Sequence, residues 1–219
     1  MEEVLPGLFH WSAMHPRIGS RVSSWWLEGE GEGVLIDPLL PEDLDLVAWL
    51  RGRPQTPVAI LLSNRHHLRD SERLIGELGC DLYCHADGRH ELPPQLEVRT
   101  FRPAAGGSGL PGGVVVHQVG ALCPDESALH LPAQRALLFA DAIGRGGEYG
   151  AGGPLGFVPD GLMDDPPATK RGLLAAFARL LEEIDFDHLL LAHGGPVLGD
   201  GRTQLEELVR VGGRTAFEL

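Results

Sequence analysis

The sequence predicts an α/β fold of two mixed sheets with helices on the outside. Three observations carry that expectation. Strand-like runs open the chain, βα units follow, strands return, and a helix, a strand and a helix close it. The segments with helical periodicity gather their apolar residues on one face, so each covers a surface. No 20–50-residue period and no low-complexity tract appears, and 219 residues suit a single domain spanning 1–219.

The elements follow in order. "RVSSWWLE" (21–28) and "GVLIDPLL" (33–40) read as strands joined by the turn "GEGEG". Trp25 and Trp26 are adjacent, so one is expected in the core and the other at the surface or cleft. "PEDLDLVAWLRG" (41–52) reads as a helix with Leu44, Val47 and Ala48 on one face, Pro41 at its start and Gly52 at its end. "VAILLS" (58–63) is a buried strand. Asp70 then caps a helix carrying Leu74, Ile75 and Leu78, closed by Gly79.

"CDLYCH" (80–85) and "LEVRTF" (96–101) are short strands, and "RPAAGGSGLPGG" (102–113) is a loop of breaker residues. "VVVHQV", "SALHLP" and "RALLFAD" read as three consecutive strands, which places His117 and His130 as satisfied structural residues. Residues 142–167 form the longest irregular stretch. The helix over 169–184 has a stripe of Leu173, Leu174, Phe177, Leu180, Leu181 and Ile184, with Phe177 buried at its middle. "HLLLA" (188–192) and a helix from about Gly201 complete the chain.

Charge narrows the function classes. A net charge of −13 repels phosphate backbones and anionic membranes, so no nucleic-acid or membrane partner is expected. Arg supplies 17 of the 18 basic residues, which keeps a local basic cleft open as an option. No apolar run reaches the roughly 18 residues of a membrane span, and the acidic N-terminus lacks a signal pattern. The expected location is the cytoplasm and the expected partner a small-molecule ligand in a cleft. The Gly-rich run 144–153 lacks the Gly-Lys-Ser/Thr of a phosphate-binding loop. Cys80, Cys84, His85 and His90 lack a second well-formed pair for zinc. Cys80, Leu82 and Cys84 share one strand face, so buried free thiols and no disulfide are expected, with His85 at the strand end within reach of the cleft.

The chemistry concentrates in "ILLSNRHHLRD" (60–70), where a strand ends and nitrogen-rich side chains follow. Taken with four other segments, this stretch resembles the metallo-β-lactamase superfamily. "PGLFHW" with "SSWWLEGEGEGVLIDP" is similar to the family's opening strands ending in an Asp, here Asp37. "ILLSNRHHLRD" falls where the family has H-x-H-x-D-H, and "GALCPDESALHLP" is similar to its "GHTPGSxALxxP" segment. "ALLFADAIG" resembles the strand ending in a metal-bridging Asp, and "LLLAHGGP" the strand ending in the last His ligand. The resemblance runs from about residue 3 to residue 200.

It implies an αββα sandwich with metals held by loops at the sheet edges, and hydrolysis by a metal-activated hydroxide. Residue by residue, Asn64 takes the first His position, His66 the second, Leu68 the Asp position and Arg69 the next His position. Leu122 falls at the third His, Asp141 at the bridging carboxylate and His193 at the last imidazole. The resemblance therefore implies an eroded motif. In it His66, Asp141 and His193 hold at most one divalent ion (zinc, iron or manganese), Asn64 or water completes the site, and His66 and Asp141 serve catalysis.

Arg69 is expected beside Asp141 as an internal cation, and His67 is expected to cap or to face solvent. His15 and Arg17 lie in the loop between the opening strands, and the resemblance implies that this loop overhangs the cleft, within reach of a ligand. The first functional expectation is a hydrolase-like enzyme of unknown substrate with this degenerate site. The alternative is a metal-free, non-catalytic binding or regulatory protein on the same fold. A third is a non-hydrolytic enzyme using His66 as acid or base while Arg69 holds an anionic substrate.

Overall fold

The computed structural model describes residues 1–103, 108–146 and 153–212. Strands β1 (Glu2–Leu5), β2 (Leu8–Met14), β3 (Arg21–Glu28) and β4 (Glu32–Ile36) run antiparallel, and β5 (Thr56–Leu61), β6 (Asp81–His85) and β7 (Arg99–Phe101) add in parallel. Together they make a seven-stranded sheet in sequential order. Helices α1 (Leu46–Arg51) and α2 (Ser71–Leu78) are its crossovers. The second half contributes β8 (Ser108–Gly109), β9 (Val115–Gln118), β10 (Ser127–Leu131), β11 (Ala136–Phe139), a ribbon of β12 (Ile143–Arg145) and β13 (Leu155–Phe157), α3 (Pro166–Glu183), β14 (His188–Leu191) and α4 (Gly201–Val211). The second sheet runs β14-β11-β10-β9-β8, with β11 and β14 parallel.

Strand alternation divides the apolar residues into three layers. Trp25, Leu27, Val34, Ile36, Leu61, Leu129, Leu138 and Leu190 pack between the sheets. Trp26, Leu35, Ile60 and Leu82 face the other way, against Leu46, Leu50 and Leu74 of the first helical layer. Leu137, Phe139, Leu189 and Leu191 meet Leu173, Phe177, Leu180 and Leu205 of the second. The result is the αββα sandwich the sequence implied.

Phe177 is fully buried, edge-on to Phe139 at 5.3 Å between ring centroids. Helix α3 starts three residues earlier than its stripe indicates. Pro166 opens it and the Asp165 carboxylate accepts from the Ala168 N–H at 3.0 Å. Helix α1 starts later than expected, leaving Leu44 outside, because Asp45 caps the Ala48 N–H at 3.0 Å. Asp70 does precede α2, but its carboxylate accepts from the Leu40 N–H at 2.7 Å, tying the exit of β4 to α2.

Several expectations need correction. Both tryptophans are fully buried, because both faces of β3 are covered. Trp26 lies over Gly33, where a Cβ would sit 1.7 Å from the indole ring, so glycine is the residue that fits there. The stretch 142–167 is not wholly irregular, since β12 and β13 pair antiparallel within it; residues 147–152 lie outside the described part. The 102–113 loop likewise contains β8, and its residues 104–107 lie outside the described part. His117 and His130 stand 5.9 Å apart between ring centroids, and the buried Nε2 of each has no hydrogen-bond partner, so they are not the satisfied pair expected. Cys80 and Cys84 are free, buried thiols of the outer core, pushed by burial up to about 11. Among the described residues, no helix is long and apolar enough to cross a membrane.

Candidate metal centre

Parallel pairing of β4 with β5 and of β11 with β14 sends four strand exits to one edge of the sandwich. The β4 exit delivers Asp37, in the left-handed region at φ 48°. Such a backbone costs about 1–3 kcal/mol for a non-glycine residue and persists only where its surroundings hold it. Here they do. The buried carboxylate of Asp37 accepts from the Ser63 N–H at 2.9 Å, from the Ser63 hydroxyl, and from Nδ1 of His67 at 2.9 Å.

The β5 exit turns at Asn64, whose side-chain oxygen accepts from the His66 N–H at 2.9 Å and so starts a 3-10 turn over Arg65–His67. The turn swings His66 outward and His67 inward. Consequently His67, not the expected His66, meets Asp141 and His193. Nε2 of His67 lies 3.1 Å and Nε2 of His193 3.0 Å from Oδ1 of Asp141. The three donor atoms all lie within 4.8 Å of one another. The expectation that His67 would cap or face solvent fails for the same reason: its segment is a turn, not an extended strand.

Arg69 is also placed differently. It makes no ion pair with Asp141; Nη1 instead donates to the backbone carbonyls of Ser23 at 2.6 Å and Asp37 at 2.5 Å. Its own φ of 43° turns the side chain back toward β3 and β4. Asn64 is not positioned as an oxygen ligand, since that oxygen serves the turn. Its amide donates to Oδ2 of Asp141 at 2.7 Å and to Glu126 at 3.2 Å. Sequence reasoning missed Glu126, fully buried and accepting from the Ala142 N–H at 2.7 Å. It lies within the "GALCPDESALHLP" segment, where an acidic residue against a strand start was the available signal.

The electrostatics favour a cation inside this ring of carboxylates. Burial opposes charge on Asp141 and Asp37, but His67 and its neighbours outweigh it and hold both carboxyls low, Asp141 well below its usual range. Burial also opposes charge on His67, yet Asp141 and Asp37 push that imidazole up to about 9. Glu126 goes the other way: burial first, then the charge of Asp141, raise it to about 8, so it is mostly protonated at neutral pH.

A cavity of about 370 Å³ opens over the cluster, lined by His15, Arg17, Ile18, Val22, His66, Leu122, Val158 and Leu162 beside the cluster itself. A second, of about 480 Å³, shares His15, Arg17, His66 and Arg69 with it. His15, from the loop after β2, lines both cavities. Its imidazole is held below the usual range by burial and then by the charges of Arg69 and Arg17. His85 lines neither cavity.

The donor set fits a divalent ion. Donors on one tetrahedral zinc stand about 3.3 Å apart; the two imidazole–carboxylate spacings here are 3.1 and 3.0 Å, and all three donor atoms lie within 4.8 Å of one another. His67 hands its other ring nitrogen to the Asp37 carboxylate, the arrangement that fixes tautomer and orientation of a metal-bound imidazole.

The family profile described as the Metallo-beta-lactamase superfamily matches residues 17–193. The chain belongs to that superfamily. This superfamily member resembles solved structures at low identity. A metallo-β-lactamase family protein from Thermus thermophilus is 19% identical with a TM-score of 0.68, over 95% of this chain and 80% of that one. A metallo-β-lactamase from Erythrobacter litoralis is 12% identical with a TM-score of 0.71, over 98% and 96%. The protein TTHA1623, solved in a di-iron-bound form, is 21% identical with a TM-score of 0.65, over 90% and 96%. At these identities the likeness shows a shared fold. No curated protein matches the chain in sequence.

Proposed function

We propose that the protein is a metal-dependent hydrolase whose centre holds one divalent ion on His67, Asp141 and His193. The observation that carries the reading is their convergence at the cavity, with Nδ1 of His67 fixed by Asp37. Two imidazoles and a carboxylate suit zinc, iron or manganese. Among the described residues, this is the one group of three or more metal-capable side chains within reach of each other. A single ion also accords with Oδ2 of Asp141 being taken up by the Asn64 amide at 2.7 Å.

When bound, such an ion supplies a Lewis acid and a water acidified toward neutrality. The chain's own residues prepare that chemistry. Asp37 holds the His67 ring through Nδ1 and leaves Nε2 beside Asp141 as the nitrogen that would give up its proton to an ion, and Asn64 fixes the plane of the Asp141 carboxylate. Protonated Glu126 adds no second negative charge beside it. The test is metal analysis of the purified protein. The expected result is about one zinc, iron or manganese per chain, with a melting temperature that falls on chelation and recovers on reloading. Metal-free protein that does not respond to added ions would overturn the reading and leave a binding protein on the same fold.

A further inference from the structure

The two cavities share a wall of His15, Arg17, His66 and Arg69. In a chain of net charge −13 this shared wall carries two arginines and no acid. Among the described residues, the Arg17 guanidinium has no hydrogen bond or ion pair; only its backbone N–H is engaged, by His15. Arg69 commits Nη1 to two carbonyls, but Nη2 is buried with no partner. A buried donor without an acceptor costs about 1–3 kcal/mol, more when charged, so the Arg69 side chain gains if it turns this arm to an acceptor entering the cavity.

The acids on the same walls are already engaged. Asp141 takes His67, His193 and Asn64; Asp70 takes the Leu40 N–H; Glu91 pairs with Arg65 at 3.5 Å. The larger share of the first cavity is apolar, and two of its aliphatic side chains stand in water, Ile18 50% and Leu162 60% exposed.

We propose that the site takes an amphipathic anion, its carboxylate or phosphate head held by Arg17 and Arg69 and its apolar chain lying against Ile18, Leu122 and Leu162. The guanidinium fork suits either head. The exposed aliphatics gain by being covered. This names the substrate class of the hydrolase proposed above and rests on that reading for the reaction, though not for the binding.

Calorimetric titration tests it with octanoate, octyl phosphate and neutral octanamide, on the purified protein and again after chelator treatment. Both anions are expected to bind before and after chelation, and octanamide at least about tenfold more weakly. Arg17 is exposed, so Arg17→Gln keeps the fold; it should weaken octanoate about tenfold. Arg69→Gln should do the same if it folds. Leu162→Ser should weaken octanoate while leaving butyrate unchanged. Octanamide binding as tightly as octanoate, an Arg17→Gln protein with unchanged affinity, or no binding of any probe would overturn the proposal. Selective anion binding by a protein that holds no metal would sink the hydrolase reading and leave this one standing. A loaded metal site without anion selectivity would do the reverse.

Discussion

Two walls meet at the candidate centre, and they are positioned by different means. Asp141 and His193 each stand two residues beyond a strand, and β11 and β14 are parallel with Phe139 opposite Leu191. Two further steps along each chain keep that register, and the side chains meet at 3.0 Å. The opposite wall is reached differently. His67 stands six residues beyond the end of β5, past the cap at Asn64 and inside a 3-10 turn. Successive residues of such a turn are about 120° apart, so adjacent histidines cannot serve the same point. A short strand exit transmits register to a site, whereas a turn replaces register with its own geometry.

Removing His67 is the strongest way to break this picture. In His67→Ala, Asp37 and Asp141 lose the imidazole that lies between them, leaving buried carboxylates without a compensating cation. Breaking a buried charge pair in this way costs about 3–5 kcal/mol. We expect that loss in urea unfolding of the chelated protein, together with loss of stoichiometric metal from the untreated one. If metal content survived, the turn would not be what places the ligand.

The strand-exit wall is best probed by pH. Ser23 ties down the end of β14, its N–H donating to the Ala192 carbonyl at 2.8 Å and its hydroxyl to the Gly194 carbonyl at 3.0 Å. Because that hydroxyl donates, it accepts from Nε2 of His10, 2.9 Å away. Burial lowers the His10 imidazole from 6.5 to about 4. The unfolded chain therefore takes up a proton as pH falls through 6.5, and the folded one only near 4. The unfolded state binds more protons in that window, so stability rises with pH and is lost on acidification. The loss from His10 is at most about 3 kcal/mol. His10→Gln should flatten the slope between pH 6.5 and 4 relative to wild type; an unchanged slope would show that His10 does not carry it.

The same distinction explains what was legible in the sequence. The sandwich was, because strand alternation and the α3 stripe are periodic and both faces of each sheet are covered. Asp141 and His193, both named from the sequence, come together because each stands just beyond a strand end. His66 and His67 were exchanged because an Asn that starts a turn looks, in a row of letters, like a substituted ligand. Arg69 was misplaced for a related reason: its left-handed backbone sends the guanidinium to the Ser23 and Asp37 carbonyls. Glu126 went unnoticed because its importance comes from Asn64, 62 residues away in sequence.

The smallest expected effect sharpens the comparison most. His66 is adjacent to His67, is exposed, and lines both cavities, yet its ring has no hydrogen-bond partner among the described residues. Its backbone N–H, which Asn64 caps, survives replacement of the side chain. His66→Ala therefore removes neither a buried contact nor a bond that shapes the turn, and surface changes of that kind fall within about 0.5 kcal/mol. Melting temperature and metal content should stay at wild-type values, in contrast to the collapse of both in His67→Ala. The pair of variants isolates the direction of one turn, since the two residues have the same chemistry and differ by a single position. Loss of metal from His66→Ala with retention in His67→Ala would restore the ligand assignment implied by the motif and refute the one drawn from the fold.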